Sequence, residues 1–87
     1  MVTIINTHEV KNYNDWKHAF DMGAENRTRA GINVRNVYQA AGNPNKLTII
    51  SEVADAETAK AFITNLRPMM EPLLASEPEV MILEKVM

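Results

Sequence analysis

The spacing of apolar side chains divides the chain into four strand-like and two helix-like stretches. Val2–His8, Asn33–Ala40 and Leu47–Ala54 are rich in β-branched residues and predict strands, and a weaker alternation over Glu79–Val86 predicts a fourth. The segment 42–45 (Gly-Asn-Pro-Asn) between the second and third strands is dense in turn-forming residues. These two strands should therefore form a hairpin.

The first predicted helix begins after the cap residue Asn12 and runs to about Ala30, where Gly31 supplies a C-terminal stop. At about 100° per residue, one side of this helix carries a stripe that should face the sheet. The stripe consists of Tyr13, Trp16, Phe20, Ala24 and Arg27. His18 falls on the opposite side and is interpreted as a solvated surface residue.

The second predicted helix is capped by Asp55. Its inner side carries Ala56, Ala59, Phe62, Ile63 and Leu66. Pro68 should end or kink this helix, because proline lacks a backbone donor and clashes with the preceding turn. Met69 and Met70, which follow, together with Met81, are adaptable side chains that suit either a binding-site wall or a gap in a small core.

The register of the hairpin can be predicted from complementary side chains. Placing Ala40 opposite Leu47 brings Arg35 opposite Glu52 and Tyr38 opposite Ile49. One face then carries Val34, Asn36, Tyr38, Ala40, Leu47, Ile49, Ser51 and Val53 and should pack on the helices. The other face carries Arg35, Val37, Gln39, Thr48, Ile50 and Glu52, and it is a mixture of apolar and polar groups.

The order strand, helix, strand, strand, helix, strand predicts one α+β domain over residues 1–87 with a ferredoxin-like βαββαβ fold. Its four-stranded antiparallel sheet should carry both helices on one face. A chain of 87 residues buries only about 60–65% of the surface that its unfolded form exposes, so further burial would stabilise it. Because a contiguous apolar area usually marks an interface or a binding site, we expect a homodimer formed through the uncovered face.

Composition narrows the functional classes. The net charge is −2 and there is no run of Lys or Arg, which argues against nucleic acid as a partner. The absence of cysteine excludes disulfides, thiolate metal sites and cysteine nucleophiles. The N-terminal stretch has no basic region, and no apolar run approaches the ~20 residues of a membrane span. We therefore expect neither a signal peptide nor a membrane segment, and a cytoplasmic location is compatible.

Several short segments together resemble a known family. They are His8-Glu9-Val10, the helix with Tyr13, Trp16 and Phe20-Asp21, then Tyr38-Gln39, Asn43-Pro44-Asn45, Glu52-Val53 and Ala59-Lys60-Ala61-Phe62. Across nearly the whole chain they resemble the small stand-alone members of the dimeric α+β barrel superfamily. This superfamily includes antibiotic-biosynthesis-type monooxygenases, muconolactone-isomerase-like proteins and polyketide-cyclase-like proteins.

The resemblance implies a homodimer in which two sheets meet face to face, with a cavity between each sheet and its helices or opening toward the barrel. Haem-degrading members carry an Asn on the first strand, a Trp just after the third strand and a His on the following helix. Asn6 matches the first position, but no Trp lies near Asp55 and the second helix contains no His. Haem degradation is therefore disfavoured. Asn6 and Trp16 supply the residue types that flavin-free quinone-forming members use, and no cofactor is implied.

His8 is the candidate catalytic residue, because the pKa of an unperturbed histidine lies near neutrality and suits a general base. The alternative is a hydrogen-bonded histidine at a strand end. Arg35 and Glu52 could anchor a carboxylate or enolate ligand, or form a plain cross-strand ion pair. Tyr38 could donate a hydrogen bond to a ligand or be a core aromatic.

Trp16 and Phe20 could wall a cavity for an aromatic ligand, although at helical spacing they are also typical core residues. A metal site made from His8, Glu9, Asp15 and His18 is disfavoured, because these positions scatter over strand and helix.

Two functional hypotheses follow. The first is a cofactor-independent monooxygenase, or a cyclase or isomerase, acting on a small aromatic or polyketide-like compound. In it His8 transfers a proton while Asn6, Arg35, Tyr38 and Glu52 orient polar groups of the ligand. The second is a non-enzymatic ligand-binding or stress-related dimeric module, and the volume of the cavity should help to discriminate between them.

Overall fold

The computed structural model describes all residues from Met1 to Met87, and its sheet and helices form the predicted α+β fold. The elements are β1 (Val2–Glu9), α1 (Tyr13–Met22), α2 (Ala24–Arg29), β2 (Asn33–Ala40), β3 (Asn43–Val53), α3 (Ala56–Met70), a 3₁₀ turn (Glu71–Leu73) and β4 (Glu79–Glu84). The four strands are antiparallel in the order β2-β3-β1-β4, so the ferredoxin-like topology is confirmed. None of the helices has the length and apolar character that crossing a membrane requires.

The prediction of one continuous first helix is wrong, because the helix breaks at Gly23. The side chain of Asn12 caps α1 by accepting from the Asp15 amide, as predicted. At the C-terminal end of α1 the Gly23 amide donates to the carbonyls of Ala19 and Phe20. The Gly23 carbonyl in turn accepts from the Arg27 amide at the start of α2. Glycine is a poor helix-interior residue, so the change of direction falls there.

Of the two effects predicted for Pro68, an end of the helix or a kink, the end does not occur. The carboxylate of Asp55 caps α3 by accepting from the Thr58 amide, as expected, but the helix continues through Pro68 to Met70. Proline removes only the donor to the carbonyl of Thr64, and Thr64 is exposed, where water can replace that donor. The additional turn brings Met69 and Met70 beside the sheet.

The predicted hairpin register is also wrong, because the pairing of β2 with β3 is irregular at two places, a β-bulge at Arg35 and a shift between Gln39 and Ala40. Val34 lies opposite Ser51, but Asn36 lies opposite Ile50, so one extra residue is inserted between these pairs. A bulge of one residue moves all later side chains to the other face. Tyr38 therefore lies opposite Thr48 on the face away from the helices and not opposite Ile49 as predicted. Val37 and Gln39, predicted on that outer face, pair instead with the inward residues Ile49 and Leu47.

Two apolar clusters hold the helices against one face of the sheet, which we call the inner face. The first contains Val2, Ile4, Ile32, Val53 and Ala59, and it joins α3 to β1 and β3. The second contains Val10, Trp16 and Leu47, and it fixes α1 over the other end of the same strands. The predicted contact of Trp16 with the sheet is thereby confirmed.

The opposite side of the sheet, which we call the outer face, has no helix on it. From the strand pairing it carries Thr3, Ile5, Thr7, Asn36, Tyr38, Thr48, Ile50, Glu52, Met81 and Leu83. Tyr38, Met81 and Leu83 are 53%, 52% and 42% exposed. Isolated exposed apolar residues are common, but here Met81 pairs with Ile5 and Ile5 pairs with Ile50, so an apolar row crosses the sheet from the edge strand β4 toward the other edge strand, β2.

Replacing Gly31 by alanine should destabilise the protein by about 1 kcal/mol, because Gly31 has a φ of +75° and forms the left-handed end of α2. The amides of Gly31 and Ile32 donate to the carbonyls of Thr28 and Arg27 there. No atom lies within 4 Å of an added Cβ, so the loss would come from the backbone alone. Urea unfolding of Gly31→Ala measures it, and an unchanged midpoint would contradict this interpretation.

Candidate functional site

A cavity of about 200 Å³ lies between the inner face of the sheet and the three helices. Its wall is mainly apolar, and residues from both core clusters contribute to it. The polar side chains that line it are Asn6, His8, Asn26, Arg27 and Ser51. A mainly apolar cavity with a few polar groups is the usual form of a small-molecule site.

The central strand β1 brings Asn6 and His8 into this cavity. Alternate residues of a strand share a face, so Asn6 and His8 follow the core residues Val2 and Ile4 on the inner side. Asn6 lies opposite Ile49 and Val80 on the two neighbouring strands, which holds it in the middle of the sheet.

The His8 ring is oriented by a single hydrogen bond. Its Nδ1 lies 3.1 Å from Oδ1 of Asn6. Since an amide oxygen only accepts, Nδ1 must carry the proton, and Nε2 then has a free lone pair. His8 is 3% exposed, and its Nε2 is buried without any hydrogen-bond partner. A buried polar atom of this kind is uncommon in a folded protein and calls for an explanation.

Burial also determines the charge of His8. Desolvation lowers the pKa of its imidazole below the ordinary value, because the charged form loses its hydration. The ring is therefore neutral at physiological pH. A neutral imidazole with an unpaired nitrogen can accept a proton from a ligand in the cavity.

Aromatic rings form the wall of the cavity beyond His8. The ring centroids of His8 and Trp16 are 6.1 Å apart, and those of Trp16 and Phe20 are 4.9 Å apart in a stacked arrangement. Arg27 follows, with its guanidinium carbon 3.8 Å from the centroid of the Phe20 ring. Trp16, Phe20 and Arg27 of the predicted helical stripe thus form one side of the cavity, whereas Tyr13 and Ala24 do not line it and Ala24 is exposed.

The predicted site residues are divided between the two faces of the sheet. Asn6, His8, Trp16 and Phe20 line the same cavity. Arg35 and Glu52 form the predicted ion pair, but on the outer face. Tyr38 is also on the outer face, where the bulge at Arg35 has moved it.

Some lining residues were not predicted to belong to a site. Arg27 was placed correctly on the sheet-facing stripe, and Ser51 on the helix-facing side of β3, yet neither was assigned a role. The signal for both was present, since a polar residue on an otherwise apolar face is unusual. Of the methionines predicted as an adaptable wall, Met69 and Met70 line the cavity, whereas Met81 lies on the outer face. No group of three or more His, Asp or Glu side chains comes together that could hold a metal ion.

Comparison with known proteins identifies the fold. No protein-family model and no curated protein sequence matches the chain. Among solved structures, a proposed antibiotic biosynthesis monooxygenase from Nitrosomonas europaea superposes with a TM-score of 0.75 at 20% identity, covering 100% of both chains. A conserved protein from Methanosarcina mazei gives 0.76 at 22% identity, covering 97% of this chain and 91% of that one. A proposed antibiotic biosynthesis monooxygenase from Bordetella bronchiseptica gives 0.73 at 16% identity, covering 99% and 97%.

The chain therefore has the fold of the antibiotic biosynthesis monooxygenase-like domains, which confirms the resemblance seen in the sequence. At these identities the similarity concerns the fold alone. The chemistry of this chain must be argued from its own cavity.

The stability of the protein should fall as the pH drops below about 6.5, because the unfolded state binds a proton at His8 more readily than the folded state does. The pKa of His8 is lowered in the folded protein, so the loss starts near the ordinary value of 6.5 and continues until the lowered pKa is reached. One titrating group contributes a slope of at most about 1.4 kcal/mol per pH unit.

Urea unfolding at several pH values measures this slope in the wild type and in His8→Gln, which should lack it. His18→Gln is the matched control, because His18 is exposed on α1. Equal slopes in the wild type and His8→Gln would show that His8 titrates normally.

Proposed function

We propose that the chain is a small-molecule-binding protein in which His8 acts as a general base on an aromatic or polyketide-like ligand. The observation that carries this proposal is the buried Nε2 of His8, a residue that lines the cavity, because this nitrogen has no partner within the protein. A base needs a free lone pair within reach of the proton it removes. A ligand hydroxyl or an acidic C–H group in the cavity would meet this nitrogen.

The neighbouring residues fit this role. Asn6 holds the Nδ1 proton and so selects the tautomer in which Nε2 is basic. Trp16 and Phe20 present flat apolar surface, which suits a planar ligand. Arg35, Tyr38 and Glu52 are not part of this assignment, because they lie on the outer face.

Removal of a proton is the first step of both candidate reactions. A deprotonated electron-rich ring can react directly with dioxygen, and an enolate can rearrange or attack a carbonyl within the same molecule. A cofactor-independent monooxygenase and a cyclase or isomerase would therefore use His8 in the same way. The names of the similar structures from Nitrosomonas europaea and Bordetella bronchiseptica favour the first.

The size of the cavity supports a second candidate. Its volume of about 200 Å³ in one chain is below the ~300 Å³ of typical ligand sites. A protein that binds a one- or two-ring ligand without chemistry would also fit this volume. The polar lining groups argue for the catalytic alternative, since a purely binding cavity needs no unpaired histidine.

We also propose that two copies pair through the outer face. Tyr38, Met81 and Leu83 are exposed there next to Ile5 and Ile50. Burying this surface against a second copy would add to the modest core of a short chain. Pairing of the two sheets would leave the cavity on the inner face of each copy.

Turnover should depend on His8. We expect oxygen uptake or product absorbance with a panel of naphthols, hydroquinones and acetylphenols, and a decrease of at least about 100-fold in kcat for His8→Gln. His18→Gln should keep full activity. Equal turnover in His8→Gln would remove His8 from the mechanism, whereas binding without turnover by the wild type would favour the second candidate.

Dimerisation should depend on the outer face. Sedimentation should find dimers of the wild type and monomers of Met81→Lys, because a lysine there places a desolvated charge in the interface. Met22→Lys is the matched control, since Met22 is 73% exposed on α1 and distant from the outer face. A wild type that stays monomeric at high concentration would contradict the proposed pairing.

A further inference from the structure

Arg27 is the one cationic residue that lines the cavity. It lies on α2, just beyond the break at Gly23, with its guanidinium over the ring of Phe20. A Cβ added at Gly23 would lie 3.2 Å from Nη1 of Arg27, so the missing side chain leaves space for the guanidinium against the helix break. The Phe20 ring and the space beside Gly23 thus both hold the guanidinium at the cavity wall.

No acidic group of the protein pairs with Arg27. The carboxylate of Asp21 is nearby, but both its oxygens accept from Nζ of Lys17, at 2.7 and 2.8 Å. Arg29, two residues further on the same helix, is paired with Glu25. Arg27 itself makes no side-chain hydrogen bond, although it is half-buried. Burial lowers its pKa, and the negative charge of Asp21 offsets part of that shift without pairing directly with the guanidinium. It stays charged nonetheless, because guanidinium is not deprotonated in proteins.

A partly buried cation without a counter-ion is costly, and a ligand anion would remove that cost. The five N–H donors of arginine match the paired oxygens of a carboxylate or the oxygen of a phenolate. The stacking on Phe20 occupies the flat side of the guanidinium and leaves its edge donors free. The end of the cavity at Arg27 is therefore suited to bind an oxyanion.

We propose that Arg27 is the anion-binding, specificity-determining residue of this cavity, so that its ligand is a planar aromatic molecule bearing an anionic oxygen group. This inference rests on the proposed binding of a small molecule at the cavity. His8 and Arg27 lie at opposite ends of the row formed by Trp16 and Phe20. The anionic group is consequently one that the ligand already carries, and it is distinct from the charge that His8 would generate.

The fluorescence of Trp16 provides the assay, because it is the single tryptophan of the chain and it lines the cavity. The probes are 4-nitrobenzoate and 4-nitrobenzamide, two quenchers of nearly equal shape that differ in charge. The wild type should bind the anion at least about tenfold more tightly, as expected for a charge-assisted hydrogen bond. Added salt should reduce this preference.

Arg27→Met should abolish the preference and leave the affinity for the amide unchanged. Arg27→Lys keeps a charge but lacks the planar donors, so it should retain part of the preference. Arg29→Met is the matched control, because it removes the same charge from the same helix outside the cavity and should behave as the wild type does. Circular dichroism verifies that each variant is folded.

The outcomes separate the two proposals. Equal binding of both probes by the wild type would overturn the role of Arg27 and leave the binding function intact. The same would follow if Arg29→Met lost the preference as fully as Arg27→Met, since the effect would then be one of net charge. If neither probe quenches Trp16, the proposed binding function fails and this inference fails with it.

Discussion

The helices cover only one face of the sheet, and this arrangement decides which side chains of each strand are buried. All the helices pack on the inner face, so every second residue of the central strand β1 turns toward them. In its first half these residues are Val2 and Ile4, which form core contacts, and in its second half they are Asn6 and His8, which border the cavity. The same alternation that stabilises the fold thus brings the polar side chains of Asn6 and His8 to the cavity, and it buries His8.

The cost of burying those two side chains is only partly compensated within the protein. The bond between Asn6 and Nδ1 of His8 satisfies one ring nitrogen and leaves Nε2 without a partner. An arginine without a counter-ion lies at the far end of the same cavity wall. A buried nitrogen without a partner calls for an explanation, and a ligand in the cavity would supply a partner both for Nε2 of His8 and for Arg27.

The sequence was sufficient for the element order, the fold class and the residues that line the cavity from β1 and α1. These depend on local periodicity, which is strong for the alternating strand and for the stripe with Trp16 and Phe20. The prediction from the sequence failed where a single residue decides the local backbone path. Gly23 divides the first helix, and the bulge at Arg35 moves Tyr38 to the outer face. A bulge leaves no periodic signal before the strands are paired, so a register chosen by matching side chains could not reveal it.

Proton transfer by His8 requires a neutral ring that carries its proton on Nδ1, with Nε2 free to act as a base. The chemical shifts of the two ring nitrogens, followed against pH by NMR, test it directly. We expect a protonated Nδ1 and an unprotonated Nε2 at neutral pH, with a titration midpoint below the ordinary 6.5. A proton on Nε2, or a midpoint at or above 6.5, would contradict the account.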